Sequence, residues 1–146
     1  MAIEIKIINK SDNPLPGYAT PGSSGLDIRS HLTDPVILNS LDRVLIPTGM
    51  FLEIPEGYEA QVRPRSGLAF RHGITCLNSP GTIDSDYRGE IGVILVNLSP
   101  EKQTIQPGER IAQLVFQKVE RVNWELAEQI VETKRGEGGF GHTGKN

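Results

Sequence analysis

The sequence predicts an all-β domain, either a sandwich or a barrel. Apolar residues recur mostly with a period of two, and the stretches that show this period are short. Glycines and prolines separate these stretches, and all ten prolines lie within the first 107 residues, usually at turn positions. Many short strands joined by such turns are typical of an antiparallel all-β fold.

Five stretches are predicted as strands. In the first, Ile3, Ile5 and Ile7 alternate with charged residues, as in a half-buried strand. The other four are residues 43–54, 58–63, 90–98 and 110–119. Residues 90–98 are almost continuously apolar, which predicts burial on both faces. Only residues 66–71 and 124–130 favour short helical turns.

Alternation across residues 110–119 predicts two faces for the last strand. It places Ile111, Val115 and Val119 on one face and, on the other, Ala112, Leu114 and Phe116. Gln113 is a polar residue inside this strand, within the block GERIAQL. Such a residue is as often solvent-facing as part of a binding site.

Length and charge narrow the class of protein. A chain of 146 residues is most simply one domain with a real core. Its net charge of −3 argues against a protein that coats nucleic acid or a membrane surface. Cys76 is alone, which excludes an internal disulfide. Charges alternate through the N-terminus and no apolar run reaches membrane length, so we expect a soluble, cytoplasmic protein without membrane or nucleic-acid partners.

The last twelve residues, RGEGGFGHTGKN, hold five glycines around Phe140. Glycine loses the most conformational freedom on ordering, so a ligand is the natural agent to order this segment. Successive N–H groups can bind an anion, and an aromatic face can stack on a base. We therefore predict a β domain of residues 1–131 followed by a flexible nucleotide-binding arm, residues 132–146. A flexible linker is the alternative that composition leaves open.

Residues 139–145 also match the start of the P-loop pattern. Asn146 stands where that pattern requires Ser or Thr. The strand and helix that should flank a P-loop are not predicted there, so we interpret the match as coincidence.

The segment PGTIDSDYRG, residues 80–89, lies just before the most apolar strand. The segment holds two carboxylates, Asp84 and Asp86, and a carboxylate on a rigid hairpin can act as a general base towards water. Tyr87 could then constrain the shape of a sugar. The alternative is that Asp84, Asp86 and Arg88 are ordinary turn residues with a surface ion pair.

Two further segments are suited to phosphates. In RPRSGLA, residues 63–69, Arg65 offers a planar fork that matches phosphate oxygens, beside the Ser66 hydroxyl and Gly67. In ATPGSSGLDI, residues 19–28, Asp27 is a candidate partner for Mg²⁺, which takes one or two carboxylates together with waters and phosphates. The alternatives are a helix N-cap at Ser66 with a solvated arginine, and a surface aspartate.

Five blocks, in this order, resemble the five motifs of the trimeric deoxyuridine triphosphatases (dUTPases): ATPGSSGLDI, RPRSGLA, NSPGTIDSDYRGEI, GERIAQL and RGEGGFGHTG. The resemblance spans residues 19–144. It implies a β-clip or jelly-roll-type distorted barrel and a homotrimer with three active sites at subunit interfaces. Each site would take phosphate motifs from one chain, the base-binding hairpin from a second and the arm from the third.

The reaction that the resemblance implies is hydrolysis of dUTP to dUMP and pyrophosphate, by attack of water on the α-phosphorus. It would lower dUTP and supply dUMP for dTMP synthesis. Asp84 would activate the water, and Asp27 would hold waters of a Mg²⁺ ion that bridges the phosphates. Asn78 and the backbone around Ile83 would read the uracil edge. Tyr87 would exclude a 2′-hydroxyl.

The remaining matches concern the phosphates and the arm. Phe140 would stack over the uracil. The phosphates would be bound by Arg65, Ser66, Gly67, Gln113, Arg135, Gly141, His142 and Thr143. Two positions depart from the family pattern, since His142 replaces the usual serine and Leu26 a commoner tyrosine. Neither touches the predicted base, so both bear on fine tuning rather than on activity.

Two other functions stay open at this point. A dCTP deaminase shares the implied fold, but Tyr87 and the complete arm favour a dUTPase. A non-catalytic nucleotide-binding regulator is the alternative from another class. The joint presence of Asp27, Ser66, Asp84 and Phe140 argues against it.

Overall fold

The computed structural model describes residues 2–144, so Lys145 and Asn146 of the predicted arm lie outside the described residues. Within this range the chain is built almost entirely of strands, which confirms the predicted all-β class. The strands are β1 Lys6–Asn9, β2 Leu26–Arg29, β3 Val36–Leu38, β4 Arg43–Pro47, β5 Met50–Glu53, β6 Tyr58–Arg63, β7 Ile74–Cys76, β8 Gly81–Ile83, β9 Gly92–Asn97, β10 Gln103–Ile105 and β11 Arg110–Lys118. The helix in the described range, α1 Ser66–His72, has seven residues.

All strand pairs are antiparallel, and they form four sheets in the described residues. The largest has the order β2-β11-β6-β8, and a second has the order β4-β9-β7. Two small sheets, β1-β5 and β10-β3, complete the barrel-like wall. The long strand β11 pairs on both edges, with β2 and with β6, so it fixes the relative positions of three motif-bearing segments.

Apolar side chains from both larger sheets meet in one core cluster. Ile28 and Leu114 enter it from the four-stranded sheet, and Ile46 and Leu95 enter it from the three-stranded sheet. Burying one such side chain stabilises the fold by roughly 1.5–3 kcal/mol. Strands as short as three residues are therefore stabilised mainly by the packing of their side chains in the core. Cys76 belongs to this cluster, and burial raises the pKa of its thiol to about 11.

Four of the five predicted strands have different bounds in the structure. Residues 90–98 shorten to Gly92–Asn97 and residues 110–119 to Arg110–Lys118, and the other two differ more. The first begins only at Lys6, and Ile3 is exposed. The predicted strand 43–54 is wrong as one element, because it divides into β4 and β5 at Thr48 and Gly49. Gly49 has a φ of +70°, a left-handed conformation that favours glycine, and the Thr48 hydroxyl donates to the Ile91 carbonyl at 2.6 Å. A tight corner therefore replaces the expected long strand.

The central strand β9 follows the prediction in its second half only. Leu95, Val96 and Asn97 are all buried, as expected of a strand covered on both faces. Ile94 is half-buried. The amide of Asn97 donates to the Leu38 and Glu101 carbonyls, so this buried polar group is satisfied.

The predicted helical turn at 124–130 is wrong. The last strand ends at Lys118, and residues 119–144 contain no helix or strand. Trp124 is 92% exposed, and Val122 and Leu126 are exposed as well. An isolated turn gains too little from one or two hydrogen bonds to form without a packed face.

None of the helical structure in residues 2–144 is long and apolar enough to cross a membrane.

Candidate active site

The four-stranded sheet carries two groups of predicted site residues, one at each end of β6. At the carboxyl end of β6, Arg63 pairs with Gln113 of β11, and Gln113 pairs with Asp27 of β2. At the amino end of β6, Ala60 pairs with Ile83 of β8. The residue after Ile83 is Asp84, which therefore lies beside Glu59 and Tyr58. We call these the phosphate group (Asp27, Arg65, Ser66, Gly67, Gln113) and the hairpin group (Asp84–Glu90).

The phosphate group begins where β6 turns into α1. Arg65 is the N-cap residue, with an extended backbone and no side-chain capping bond. Ser66 is the first residue inside the helix, so the alternative that its hydroxyl caps the helix is wrong. Ser66 and Gly67 are both exposed, which leaves the hydroxyl and the adjoining backbone open to a ligand.

Asp27 is the centre of an ion-pair cluster. Its Oδ1 accepts a hydrogen bond from Arg65 Nε at 3.0 Å, and its Oδ2 accepts one from Arg110 Nη1 at 3.1 Å. The structure therefore brings Asp27 and Arg65 together and adds Arg110, which no motif interpretation selected. Arg110 belongs to the GERIAQL block, but regular alternation along the sequence would place it on the face opposite Gln113.

Gln113 is held rather than solvent-facing. Its Nε2 donates to the Pro64 carbonyl at 3.1 Å, just before Arg65. Its amide also packs against Gly25, where a side chain would overlap the Gln113 oxygen. Glycine at position 25 is thus required by the close approach of β11 to the loop before β2. The amide group is fixed at the same end of the sheet as Asp27.

The hairpin group is tied by backbone and side-chain bonds. The Asp84 carbonyl accepts from the Tyr87 amide at 3.1 Å, and Arg88 Nη1 donates to the Ser85 and Tyr87 carbonyls. Arg88 thus binds carbonyls, so the alternative of a surface ion pair is wrong for this residue. Tyr87 Oη donates to the Glu90 carbonyl at 2.9 Å. The Asp84 carboxylate is exposed at the start of this rigid turn.

Two cavities adjoin Asp84. One, of about 310 Å³, is polar and is lined by residues of the β5–β6 loop, the hairpin and the start of the C-terminal segment: Gly57, Tyr58, Glu59, Asp84, Ser85, Asp86, Val119 and Arg121. The other, of about 180 Å³, lies between Asp84, Ile83 and Tyr87. Asn78 lies in the bend between β7 and β8, with its Nδ2 3.1 Å from where a Cβ on Gly81 would be. Three of the predicted base-binding and sugar-binding residues, Asn78, Ile83 and Tyr87, therefore cluster around β8, whereas Phe140 lies in the arm.

The two groups are well separated within one chain. Arg65 lies six residues after Glu59, which is beside Asp84, and six steps of extended chain span roughly 20 Å. The arm contacts neither group through hydrogen bonds among the described residues. Arg135 Nε donates within the arm to the Gly138 carbonyl, and the Phe140 ring is fully exposed. His142 packs against Gly138, where a Cβ would come within 2.7 Å of its ring.

The family model for dUTPase matches residues 11–144 of the chain. The chain belongs to the dUTPase family. It is 55% identical over 143 residues to the deoxyuridine 5′-triphosphate nucleotidohydrolase of Fusobacterium nucleatum, with 98% of each chain covered. It is 57% identical over 145 residues to that of Cytophaga hutchinsonii, covering 99% of this chain and 94% of the relative. Two predictions are confirmed: that the chain is a member of the dUTPase family, and that it is an enzyme.

Solved dUTPases share the fold. A mutant dUTPase of Staphylococcus bacteriophage 80alpha with dUpNHpp superposes with a TM-score of 0.87 at 24% identity, covering 98% of this chain and 99% of that one. A mutant dUTPase of phage phi11, described with a structural Mg(II) ion, has a TM-score of 0.79 at 21% identity and covers 88% of this chain and 99% of that one. The predicted jelly-roll-type fold is confirmed.

Proposed function

We propose that this dUTPase-family chain hydrolyses dUTP to dUMP and pyrophosphate. The observation that carries the proposal is the pairing of an exposed Asp84 on a braced hairpin with an adjoining pocket lined by Ile83 and Tyr87. Asp84 would take a proton from the attacking water, which adds to the α-phosphorus as pyrophosphate leaves. The product dUMP would then be available for dTMP synthesis, and the expected cytoplasmic location stays a prediction.

The phosphate group would bind the triphosphate. Arg65 uses two of its five N–H donors on Asp27 and the Arg110 carbonyl, which leaves three for phosphate oxygens. The Ser66 hydroxyl, the Gly67 backbone and the Gln113 amide would add neutral contacts. Holding the chain of phosphates in place aligns the leaving group with the water, and positioning is the main source of rate in such reactions.

Asp27 fits a supporting role towards Mg²⁺. Each of its oxygens accepts one N–H bond from an arginine, which leaves further lone pairs for metal-bound water. Residues 2–144 hold no cluster of three or more Asp, Glu, His or Cys side chains suited to a metal, so phosphates and waters would supply most ligands. Bound Mg²⁺ would neutralise phosphate charge and polarise the α-phosphate.

The pocket beside β8 would select the nucleoside. Asn78 and the backbone at Ile83 would read the uracil edge, and the Tyr87 ring would lie against the deoxyribose.

The arm would close over the bound nucleotide. Arg135, Gly141, His142 and Thr143 would contact phosphates, and Phe140 would stack on the base. We keep the division into a domain of residues 1–131 and an arm of residues 132–146 as part of this proposal.

We also propose a homotrimer whose sites are shared between chains. Support comes from the separation of the hairpin group and the phosphate group at opposite ends of β6. A single dUTP cannot span both ends within one chain, whereas a threefold arrangement can bring one chain's hairpin to the next chain's phosphate group. An exposed, uncontacted arm in the described residues fits a partner on a third chain.

One assay tests the reaction. Pyrophosphate release is measured from dUTP, dCTP, dTTP and UTP, each with and without Mg²⁺. We expect Mg²⁺-dependent release from dUTP at least about a hundredfold faster than from the others, since a site built on hydrogen bonds rejects ligands that leave them unpaired. Ammonia release from dCTP would instead support a deaminase. Binding of dUTP without turnover would support a regulator.

A mixing experiment tests the shared site. Chains with Asp84→Asn are mixed with chains that lack residues 132–146, each variant being inactive alone. If hairpin and arm come from different chains, random mixing gives about a quarter of sites with both parts intact, and activity recovers accordingly. Mixing the Asp84→Asn chain with a chain that carries both changes is the control and should stay inactive. No recovery in the first mixture would contradict shared sites.

A further inference from the structure

A β-bulge turns Arg110 towards the phosphate group. Along β2 and β11 the register is Gln113 with Asp27 and Ala112 with Ile28, but Arg110 pairs with Arg29. One extra residue, Ile111, therefore lies in β11 at this point. In a regular strand Arg110 and Gln113 would point to opposite faces, because side chains alternate. With the extra residue they share a face, and bulges are known to re-aim side chains in this way.

The re-aimed side chain makes a direct contact with the predicted metal-orienting carboxylate. Arg110 Nη1 lies 3.1 Å from Asp27 Oδ2, while Arg65 Nε lies 3.0 Å from Asp27 Oδ1. The backbone carbonyl of Arg110 also accepts from Arg65 Nη1 at 3.3 Å. Residue 110 therefore fixes Asp27 by its side chain and Arg65 by its backbone.

The charges explain why two arginines are needed. Asp27 and Arg65 alone form a neutral pair, which would offer little attraction to a triphosphate. With Arg110 the cluster has two positive charges and one negative charge, a net charge of +1. Asp27 and Arg65 are about three-quarters buried, at 28% and 27% side-chain exposure, so water screens their charges less than it does at the open surface.

We propose that Arg110 is a positioning residue of the phosphate site. It holds the Asp27 carboxylate in one orientation and keeps the cluster positive while Asp27 binds Arg65. This inference rests on the proposed function, because the ligand it serves is the Mg²⁺-bound triphosphate of dUTP. Arg110 acts through Asp27, and the bulge at Ile111 is the feature of the fold that makes this possible.

A merely structural ion pair would have different consequences. It would lower the free energy of unfolding when removed but leave ligand binding by the folded protein intact. Arg29 offers a matched control, since it lies beside Arg110 on the neighbouring strand. Its Nη1 donates to the Gly108 carbonyl at 2.7 Å, and it forms no ion pair with Asp27 among the described residues.

The experiment measures the binding of dUpNHpp to the full chain by calorimetry, with and without Mg²⁺. The same measurement is made on four variants: Arg110→Met, Arg110→Lys, Asp27→Asn and the double variant Arg110→Met with Asp27→Asn. Arg29→Met is the control, and thermal unfolding of every variant shows that it is folded at the assay temperature. We expect Arg110→Met to weaken Mg²⁺-dependent binding roughly tenfold, Arg110→Lys to restore part of this loss, and Arg29→Met to stay within about twofold of the original chain. The loss caused by Arg110→Met should be smaller in the Asp27→Asn background than in the original chain, because the effects of contacting residues are not additive.

Two results would overturn the role of Arg110. One is binding by Arg110→Met equal to that of Arg29→Met, and the other is full additivity of the Arg110 and Asp27 losses. Both outcomes leave hydrolysis of dUTP by the unmodified chain intact. Failure of the unmodified chain to bind dUpNHpp or to release pyrophosphate from dUTP would instead overturn the proposed function.

Discussion

The Tyr87 ring packs directly against the backbone of Gly89, and a side chain on Gly89 would overlap the Tyr87 hydroxyl. The same hydroxyl donates to the Glu90 carbonyl, so the ring is held from two sides. The position of Tyr87 therefore depends on the absence of a Cβ two residues later. This dependence provides a way to move the ring without changing its chemistry.

Gly89→Ala should relax discrimination between deoxyribose and ribose. The added methyl displaces Tyr87 from the position in which we propose that it packs against the sugar, so we expect the ratio of kcat/KM for dUTP to that for UTP to fall about tenfold. Steady-state kinetics with both nucleotides measure this ratio. Gly17→Ala is the control, because no atom lies within 4 Å of a Cβ at that position. An unchanged ratio in Gly89→Ala would contradict the role given to Tyr87.

Asp84→Asn should separate binding from chemistry. The amide keeps the size of the carboxylate but cannot accept a proton from water, so we expect kcat to fall by roughly 10²–10⁴ while dUpNHpp affinity changes little. Asp86→Asn, on the same hairpin and also exposed, is the matched control and should retain most activity. Comparable losses in both variants would argue for a general electrostatic effect of the hairpin rather than a base at Asp84.

Gly25→Ala should disturb the phosphate group through Gln113. The new methyl overlaps the Gln113 amide and forces it off the Pro64 carbonyl. Loss of one well-placed hydrogen bond corresponds to about a tenfold rise in KM for dUTP, with a smaller change in kcat. Gly22→Ala lies in the same loop with open space around it and serves as the control. Equal KM values for both variants would contradict a phosphate contact by Gln113.

Stability at high pH should depend on Cys76. Burial raises the pKa of this thiol from 9.0 to about 11, so the folded state holds the proton more tightly than the unfolded state. The resulting stabilisation is complete below pH 9 and is lost as pH rises from 9 to 11, by an amount on the order of 2 kcal/mol. Urea unfolding of the original chain and of Cys76→Val between pH 8 and 11 measures it. Parallel pH profiles for the two chains would show that the pKa of Cys76 is the same in the folded and unfolded states, and would contradict this prediction.

The parts of the fold that follow from alternation could be predicted from the sequence. Strand β6 has the bounds expected from Tyr58 to Arg63, and the helical turn after Pro64 forms where it was expected. Short motifs selected Asp84, Ser66 and Gln113 as candidates because these residue types can carry the chemistry, and their roles stay predictions. The family then followed from the order of the motifs.

Features that need a partner strand could not be predicted. Arg110 contacts Asp27 only because Ile111 is an extra residue opposite β2. A β-bulge cannot be predicted from the sequence of one strand, since it is defined by the pairing with its neighbour. The requirement for glycine at position 25 likewise arises from Gln113, which is 88 residues away in the sequence. The corner at Gly49 depends on the Ile91 carbonyl that Thr48 binds. In each case the deciding atom belongs to a distant segment.

Trp124 gives the protein a built-in optical reporter. It is the single tryptophan of the chain, it is 92% exposed, and it lies between the last strand and the arm. Indole emission moves to shorter wavelength and its quenching by iodide weakens when water is removed from the ring. The wavelength of the emission therefore records whether the segment that follows β11 is covered. Dilution series and nucleotide titrations can be followed on this signal in the unlabelled protein.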